Sequence, residues 1–384
     1  MNATETPMPA TGGAKKRVLV AMSGGVDSSV TAALLKTQGF DVIGVHMQLW
    51  NQAGKNTERF GGRCCSLVDS NDARRVCDKL DIPYYVINAQ DVFQEDVVDY
   101  FVHEYLQNRT PNPCVQCNTK IKFSYLFQKA DDLECELVAT GHYAQVVTDH
   151  QTGMASLRKG LDPRKDQSYF LFGLTQKALR RTLMPLGDLP KQGVRKLAAE
   201  FGLDSVSEKP DSQEICFIGD EGYKQFIEAR TAPELRAPGN MTNLDGSVIG
   251  QHQGLHRYTI GQRKGLDLGK NDNPKDPYFV VGFDAPQNVV ILGPEKQLFQ
   301  QDFMASKVNW IRPLEGLGLH SLKCKARIRS HQTEADCTVN VFENQTVQVS
   351  FDAPQRAITP GQAVVFYQGD DVLGGGFIDH VGNA

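Results

Sequence analysis

Seven residues, Ser23-Gly24-Gly25-Val26-Asp27-Ser28-Ser29, restrict the folds open to this chain more than any other stretch. They follow an apolar run, Val18-Leu19-Val20-Ala21-Met22, that reads as a buried strand. They precede Val30, Ala33, Leu34 and Thr37, whose i, i+3, i+4, i+7 spacing reads as one helix face, and Gly39 is placed to stop that helix. A strand–loop–helix turn of this composition reads as a phosphate cradle. Two glycines let the backbone approach an anion, the helix N-terminus supplies positive potential, and three serines add hydroxyl donors. The lysine-containing Walker A pattern is absent. Asp27 is out of place in an anion site, because a carboxylate beside phosphates needs a cation between them or a role through its backbone, and so it points to Mg²⁺. The plainer alternative, a Ser-Gly-Gly turn joining strand to helix, accounts for the glycines but not for the full string.

Composition sets the outer bounds. The 384 residues suffice for two or three domains with real cores. The formal net charge is −4, so no global basic signature marks the chain for nucleic acid, and RNA binding would have to come from local patches. Nine cysteines, behind a polar N-terminal stretch without an apolar signal segment, predict a reducing cytoplasmic setting in which thiols are reactive or metal-bound. No apolar run approaches the roughly 18 residues needed to span a membrane, so no membrane partner is expected.

Alternating strand and helix signals fill the first half. Strands are predicted at Val42–Trp50, Tyr84–Ile87 and Leu137–Thr140. Helix faces are marked by Ala73, Val76, Cys77 and Leu80, by Val98, Phe101, Val102 and Tyr105, and by Val194 to Gly202. That alternation predicts a parallel sheet whose ligands bind beyond the strand C-termini, where the cradle, Met47 and Gly141-His142 would converge. Pro210–Phe217 reads as a loop entering a strand. From about residue 230 helix patterns give way to Pro and Gly, and period-2 alternation over 321–378 predicts a small β-barrel. The predicted domains are 1–222, 223–292 and 293–384.

Cys114-Val115-Gln116-Cys117 follows Thr110-Pro111-Asn112-Pro113, whose prolines force an extended approach to a helix. Cys117 therefore falls near a helix N-terminus with Lys120 and Lys122 close by, a setting that favours thiolate. A lone C-x-x-C is weak evidence of a zinc site, since no second pair completes four ligands. Cys77, Cys135, Cys324 and Cys337 read as core thiols, and Cys64-Cys65 stays ambiguous.

The cradle resembles the PP-loop of ATP pyrophosphatases, which cleave ATP to AMP and pyrophosphate to adenylate a carbonyl oxygen. Further ordered motifs narrow the resemblance. They are Arg109-Thr110-Pro111-Asn112-Pro113, Cys117-Asn118, Ile121-Lys122-Phe123, Ala139-Thr140-Gly141-His142-Tyr143, Lys165–Phe170, Ile215–Gly219 and Tyr258–Leu266. With them, residues 17 to 378 resemble the tRNA-specific 2-thiouridylases of the MnmA family. The resemblance implies a PP-loop α/β domain with a parallel sheet, a small central domain and a C-terminal β-barrel. It implies adenylation of the C2 oxygen of the tRNA wobble uridine by ATP with Mg²⁺, followed by replacement of that oxygen with sulfur. Cys216 would carry a persulfide supplied by a sulfur-relay donor protein, and Cys117 would release the sulfur by forming a disulfide with Cys216. The nucleotide would contact Ala21, Met22, Ser23, Gly24, Gly25, Val26, Asp27, Ser28, Met47 and Gly141. The tRNA would contact Asn112, Pro113, Cys114, His142, Lys165, Asp166, Gln167, Arg327, Ile328 and Gln362.

Three alternatives stay open at the level of sequence. Where the best-known members carry Asp, this chain carries Cys114, so Cys114, Cys117 and Cys216 form a candidate three-thiolate set for a [4Fe-4S] cluster with one open iron. A different PP-loop ligase would use ammonia or an amino acid and need neither Cys117 nor Cys216. A non-catalytic thiol or iron–sulfur sensor that binds RNA is the reading furthest from an enzyme. Finally, Lys323, Lys325, Arg327 and Arg329 alternate with Leu322, Cys324, Ala326 and Ile328, which in a strand places four cations on one face. That face is expected to meet the phosphate backbone of tRNA. His142 is expected at the site, and His252, His256 and His331 on the surface.

Overall fold

A computed structural model describes residues 15–50, 67–209, 215–269, 275–312, 320–342 and 344–382. Cys64-Cys65 and the 210–214 part of the Pro210–Phe217 segment lie outside these residues.

The N-terminal domain is a five-stranded parallel sheet in the order β3-β2-β1-β4-β7, formed by β1 (Arg17–Ala21), β2 (Asp41–Gln48), β3 (Tyr84–Asn88), β4 (Leu137–Ala139) and β7 (Thr182–Leu183). Its central strands read as unbroken apolar runs because both faces are covered: Val18, Leu19, Val20 and Val138 are fully buried. The chain winds outward from β1 through β2 to β3, then returns to place β4 on the other side of β1. The sheet order therefore reverses between β1 and β4, and a ligand crevice is expected at their C-terminal ends.

Helix α1 (Val26–Thr37) begins directly after the glycines and ends at Gln38, with Gly39 at φ +90° closing it as its sequence position predicted. Helix α2 (Leu67–Lys79) buries Ala73, Val76 and Cys77 against the sheet. Burial pushes the Cys77 thiol up to about 12, as befits a core thiol. Cys135 is equally enclosed.

A hairpin, β5 (Ala144–Thr148) and β6 (Ala155–Lys159), leaves this domain and joins the barrel, where β6 pairs with the last strand, Asp371–Val381. The barrel is built from β12 (Phe299–Trp310), β13 (Ser321–Arg327), β14 (Ala335–Val341), β15 (Val347–Arg356), β16 (Ala363–Gln368) and β17 (Asp371–Val381). Pairing of β12 with β17 closes it. Its interior is filled by Phe303, Val339, Val349, Phe366 and Ile378, among others. One continuous core runs from Leu19 and Val138 of the parallel sheet through Leu157 and Tyr169 to Ala363, Val365 and Tyr367 of the barrel. Residues between these two regions in sequence form a smaller mixed sheet in the order β10-β11-β8-β9, with β8 (Gly239–Thr242), β9 (Val248–His252), β10 (Phe279–Asp284) and β11 (Val289–Gly293). No described helix is long and apolar enough to cross a membrane.

Two expectations fail in physical detail. Ile215 to Phe217 form no strand. Phe217 instead inserts among Phe93, Phe101 and Phe226, so aromatic packing rather than sheet pairing fixes this segment. His252 and His256 are not surface residues: both are buried, His252 bonded to the Asn288 carbonyl and His256 to Glu228. Burial holds both imidazoles below their ordinary pKa.

Candidate active site

Gly25 caps α1 without a side chain, so no side-chain acceptor occupies the amides of the first helical turn. Gly24 adopts φ +75°, a conformation that favours glycine. The serines shape the loop from inside: Ser28 Oγ accepts from Ser23 N at 3.2 Å and donates to Gly25 O at 3.1 Å, and Ser29 Oγ donates to Gly25 O at 2.8 Å. Above the loop opens a cleft of about 340 Å³. All ten residues expected to contact nucleotide line it: Ala21 through Ser28, Met47 and Gly141. Gly141 lies so close to the loop that a Cβ there would stand 2.9 Å from the Asp27 carbonyl carbon.

Sequence reasoning missed the cations of this cleft. Lys122, Lys165, Lys191 and Lys209 all line it, against the carboxylates of Asp27 and Asp69. Lys191 Nζ lies 2.8 Å from both Asp27 oxygens, and Tyr143 Oη donates to Asp27 Oδ1 at 2.7 Å. The cation that Asp27 calls for is thus, in this structure, an ammonium group. Burial alone would lower the pKa of Lys209, but hydrogen bonds to Asp72 and Asp69 more than offset it and hold the group above its ordinary value. Lys165 was expected at tRNA and Lys122 beside Cys117, whereas Lys191 and Lys209 carried no local signal as cleft residues.

His142 is 7% exposed and lines the cleft. Burial, reinforced by Lys122, keeps its pKa well below the ordinary value, so the ring is neutral. Lys122 Nζ approaches Nε2 at 3.4 Å, which leaves Nδ1–H to donate to Thr140 Oγ1 at 2.8 Å. His46, also buried and lowered by burial, donates from Nδ1 to Met22 O at 2.9 Å.

The cysteines approach from a second direction. A helix over 113–132, π-helical from Cys117 to Tyr125, starts with Pro113 at its first position and Asn112 as cap, Asn112 Oδ1 accepting from Val115 N at 3.3 Å. Cys114 is exposed, while Cys117 and Cys216 are half-buried. Cys117 and Cys216 pack against one apolar cluster built on Phe93, Phe101, Phe217 and Phe226. Leu49 of that cluster, and Met47 packed against it, also line the cleft. Among the described residues no three His, Cys, Asp or Glu side chains are grouped to hold a metal ion, so Cys114, Cys117 and Cys216 do not form a three-thiolate set here.

The residues expected at tRNA separate into two groups. Gln362 Nε2 donates to the carbonyls of Thr110 and Pro111, so the barrel holds the segment that leads into Asn112 and Pro113. Lys165 reaches the cleft. The second group is engaged within the protein, although Gln167 also lines the cleft. Asp166 Oδ1 accepts from Gly160 N and Ser168 N, and Gln167 Oε1 accepts from Tyr143 N. Ile328 is 1% exposed in the barrel core.

Arg327 corrects the expected cationic face. Its guanidinium, only 13% exposed, meets Asp166 at 3.3 Å and Glu334 at 2.7 Å and lies over the Tyr367 ring. Lys325 pairs with Asp336, and Arg329 donates to Ala357 O. The alternation was real, but part of the face is a domain contact whose counter-anions come from distant sequence. Arg327→Gln is therefore expected to cost about 3 kcal/mol of stability, read by urea denaturation, because buried Asp166 loses its cation while Glu334 keeps Lys159 at 2.8 Å. The log–log salt slope of tRNA binding should stay at its wild-type value. A slope shallower by about one unit, with stability unchanged, would return Arg327 to an RNA-facing role.

Comparison with known proteins agrees with this architecture. Residues 16–220 match the family model described as a tRNA methyl transferase HUP domain, 224–294 a tRNA methyl transferase PRC-barrel domain, and 300–378 an aminomethyltransferase β-barrel domain. The chain is 51% identical over 371 residues to the tRNA-specific 2-thiouridylase MnmA of Symbiobacterium thermophilum, covering 96% of this chain and 93% of that one. It is 48% identical to the protein of the same name from Geotalea uraniireducens, covering 96% of each. The counterpart from Clostridium perfringens is also 48% identical, with 95% and 99% covered.

Proposed function

The chain belongs to the tRNA-specific 2-thiouridylase family, and from that membership we propose that it adenylates the C2 oxygen of a tRNA uridine with ATP and replaces that oxygen with sulfur. The observation that carries the reading is a shared wall. Met47 and Leu49 face the phosphate cradle and also belong to the apolar packing around Cys117 and Cys216. That packing supports an activating site next to a sulfur-bearing one, as a two-step substitution on one base requires. The description of the matched family models names methyl transfer. Four lysines around a glycine-rich cradle suit a polyphosphate and disfavour a cationic sulfonium methyl donor.

In the proposed sequence the uridine O2 attacks the α-phosphorus of ATP, and the electron pair of the breaking P–O bond leaves with pyrophosphate. The terminal sulfur of a Cys216 persulfide attacks C2. Cys117 thiolate attacks the Cys216 sulfur and forms a disulfide, the sulfur stays on the base, and AMP departs with the former O2. A thiol reductant restores the cysteines, and a donor protein supplies the next persulfide sulfur. Neutral His142, fixed between Thr140 and Lys122, orients groups at the cleft without adding charge. Asn112, Pro113 and Lys165 are the residues proposed to meet the tRNA, with Gln362 holding Thr110 and Pro111 in place.

Mg²⁺ fits this site only as an ion that arrives on the nucleotide. Asp27 already accepts from Lys191 and Tyr143, and Mg²⁺ characteristically binds through substrate phosphates and one or two carboxylates. When bound it would neutralise phosphate charge. No group of three such ligands is placed around Cys114, Cys117 and Cys216 among the described residues, and no step is assigned to an iron–sulfur cluster.

The test is pyrophosphate exchange into ATP. Exchange that requires unmodified tRNA, with 2-thiouridine formed once a sulfur donor is added, is the expected result. Exchange driven by a small carboxylic acid in the absence of tRNA would instead place the chain among other PP-loop ligases.

A further inference from the structure

Two lysines meet carboxylates at the point where the phosphates of a nucleotide would enter. Lys191, the first residue of the helix Lys191–Glu200, is 9% exposed, with Nζ 2.8 Å from both oxygens of Asp27. Lys209 Nζ lies 2.9 Å from Asp69 Oδ1 and 3.1 Å from the Gly24 carbonyl, and also pairs with Asp72. Lys191, Lys209, Gly24, Asp27 and Asp69 all line the cleft. The two ammonium groups reach the cradle through Asp27 on α1 and through the Gly24 carbonyl, and so bracket the uncapped first turn of that helix.

A buried ion pair is a poor source of stability, since desolvation offsets most of its attraction. Two of them beside an anion cradle are better explained by charge placement. The aspartates fix each ammonium group in the site and, for Lys209, keep it protonated despite burial. Resting on the reading of this cleft as an ATP site, we propose that Lys191 and Lys209 are the residues that hold the pyrophosphate leaving group. As uridine O2 bonds to the α-phosphorus, the α-phosphorus to bridging-oxygen bond breaks and its electron pair moves onto pyrophosphate. A lysine already in place stabilises that developing charge without reorganisation at the moment of reaction. Lys191 then does for Asp27 what the sequence alone suggested a metal ion would do.

The experiment is calorimetric titration of inorganic pyrophosphate, and separately of AMP, into the full-length protein. Lys191→Met and Lys209→Met, which keep side-chain volume, should each weaken pyrophosphate binding about tenfold to a hundredfold, the value of a charged hydrogen bond. AMP, which lacks the leaving group, should keep its wild-type affinity and thereby report an intact fold. Lys191→Met also exposes Asp27, so the Asp27→Asn/Lys191→Met double variant separates contact from repulsion. It should remain weak for pyrophosphate. Recovery of wild-type affinity in the double variant would show that Lys191 only masks Asp27, and overturn its role. Unchanged pyrophosphate affinity in the single variants, or equal losses for AMP and pyrophosphate in both, would overturn the proposal outright. A wild-type protein that binds neither probe would instead remove the ATP-site reading beneath it.

Discussion

Cys216→Ser is expected to abolish 2-thiouridine formation, by about a thousandfold or more as for loss of a nucleophile elsewhere, while tRNA-dependent release of pyrophosphate continues. The two activities should separate because the residues that serve them are different. The cradle is the β1–α1 turn, met by Lys191 and Lys209 across the cleft, whereas Cys216 sits on a segment fixed by Phe217 among Phe93, Phe101 and Phe226. A serine changes one atom on a half-buried side chain and leaves that aromatic packing untouched. Cys117→Ser should give the same split. Cys77→Ser should behave in the opposite way, costing about 1–3 kcal/mol of stability by burying a hydroxyl and leaving thiolation per folded molecule at its normal level. Mass spectrometry of nucleosides from treated tRNA, beside a pyrophosphate assay, reads both activities. Normal thiolation by Cys216→Ser with a protein sulfur donor would remove Cys216 as the carrier. Cys114→Asp is the companion variant. Cys114 is exposed and, among the described residues, belongs to no group of three metal ligands, so it should be replaceable with little loss.

What the sequence made legible was local. The cradle could be read because a strand, two glycines and a helix face are contiguous, and their geometry depends on neighbours in the chain. The convergence of Met47 and Gly141 on that cradle followed from the general rule that parallel strands present ligands at their C-terminal ends. Lys191 and Lys209 could not be read in this way. Each is an ordinary lysine whose role depends on Asp27 or Asp69, well over a hundred residues away, and no periodicity or spacing encodes that meeting. Arg327 shows the same limit in reverse. Period-2 alternation correctly separated Arg327, the last residue of β13, from Ile328 just beyond it, and Ile328 is in the core. Alternation distinguishes a barrel's inside from its outside but not solvent from a neighbouring domain. Asp166, reached through the hairpin that β6 lends to the barrel, makes the outside of this barrel a buried contact. His252 and His256 were misread for a related reason: a polar residue in a Gly-rich stretch looks exposed until a small domain closes over it.

Gly24→Ala should remove nucleotide binding and destabilise the protein together, whereas Gly25→Ala, one residue on, should leave the fold intact. The contrast comes from space and backbone conformation, because the chemical change is identical. At Gly24 a Cβ would lie 2.2 Å from the Asp69 carbonyl oxygen, a backbone atom held within α2. The clash cannot be relieved by turning a side chain, so the loop or the start of α2 has to move. Gly24 also sits at φ +75°, which costs an alanine about 1–2 kcal/mol by itself. Displacing Asp69 would in turn disturb Lys209, which is bonded to both Asp69 and the Gly24 carbonyl. One methyl group therefore damages the cradle's backbone and one of its cations. At Gly25 the nearest atom to a new Cβ is Ser23 Oγ at 3.6 Å, an ordinary contact, and φ is −102°, which alanine accepts. The added methyl there projects only into the room beside the open amides of α1. Gly25→Ala should accordingly melt within a degree or two of wild type, an effect of well under about 1 kcal/mol, and any loss of ATP affinity it shows must come from crowding of the phosphates. Thermal melting and ATP titration of the two variants decide the matter. A Gly24→Ala protein that melts normally and binds ATP normally would mean that the loop can shift away from Asp69 at no cost, and that the tight approach of these two segments is not what builds the site.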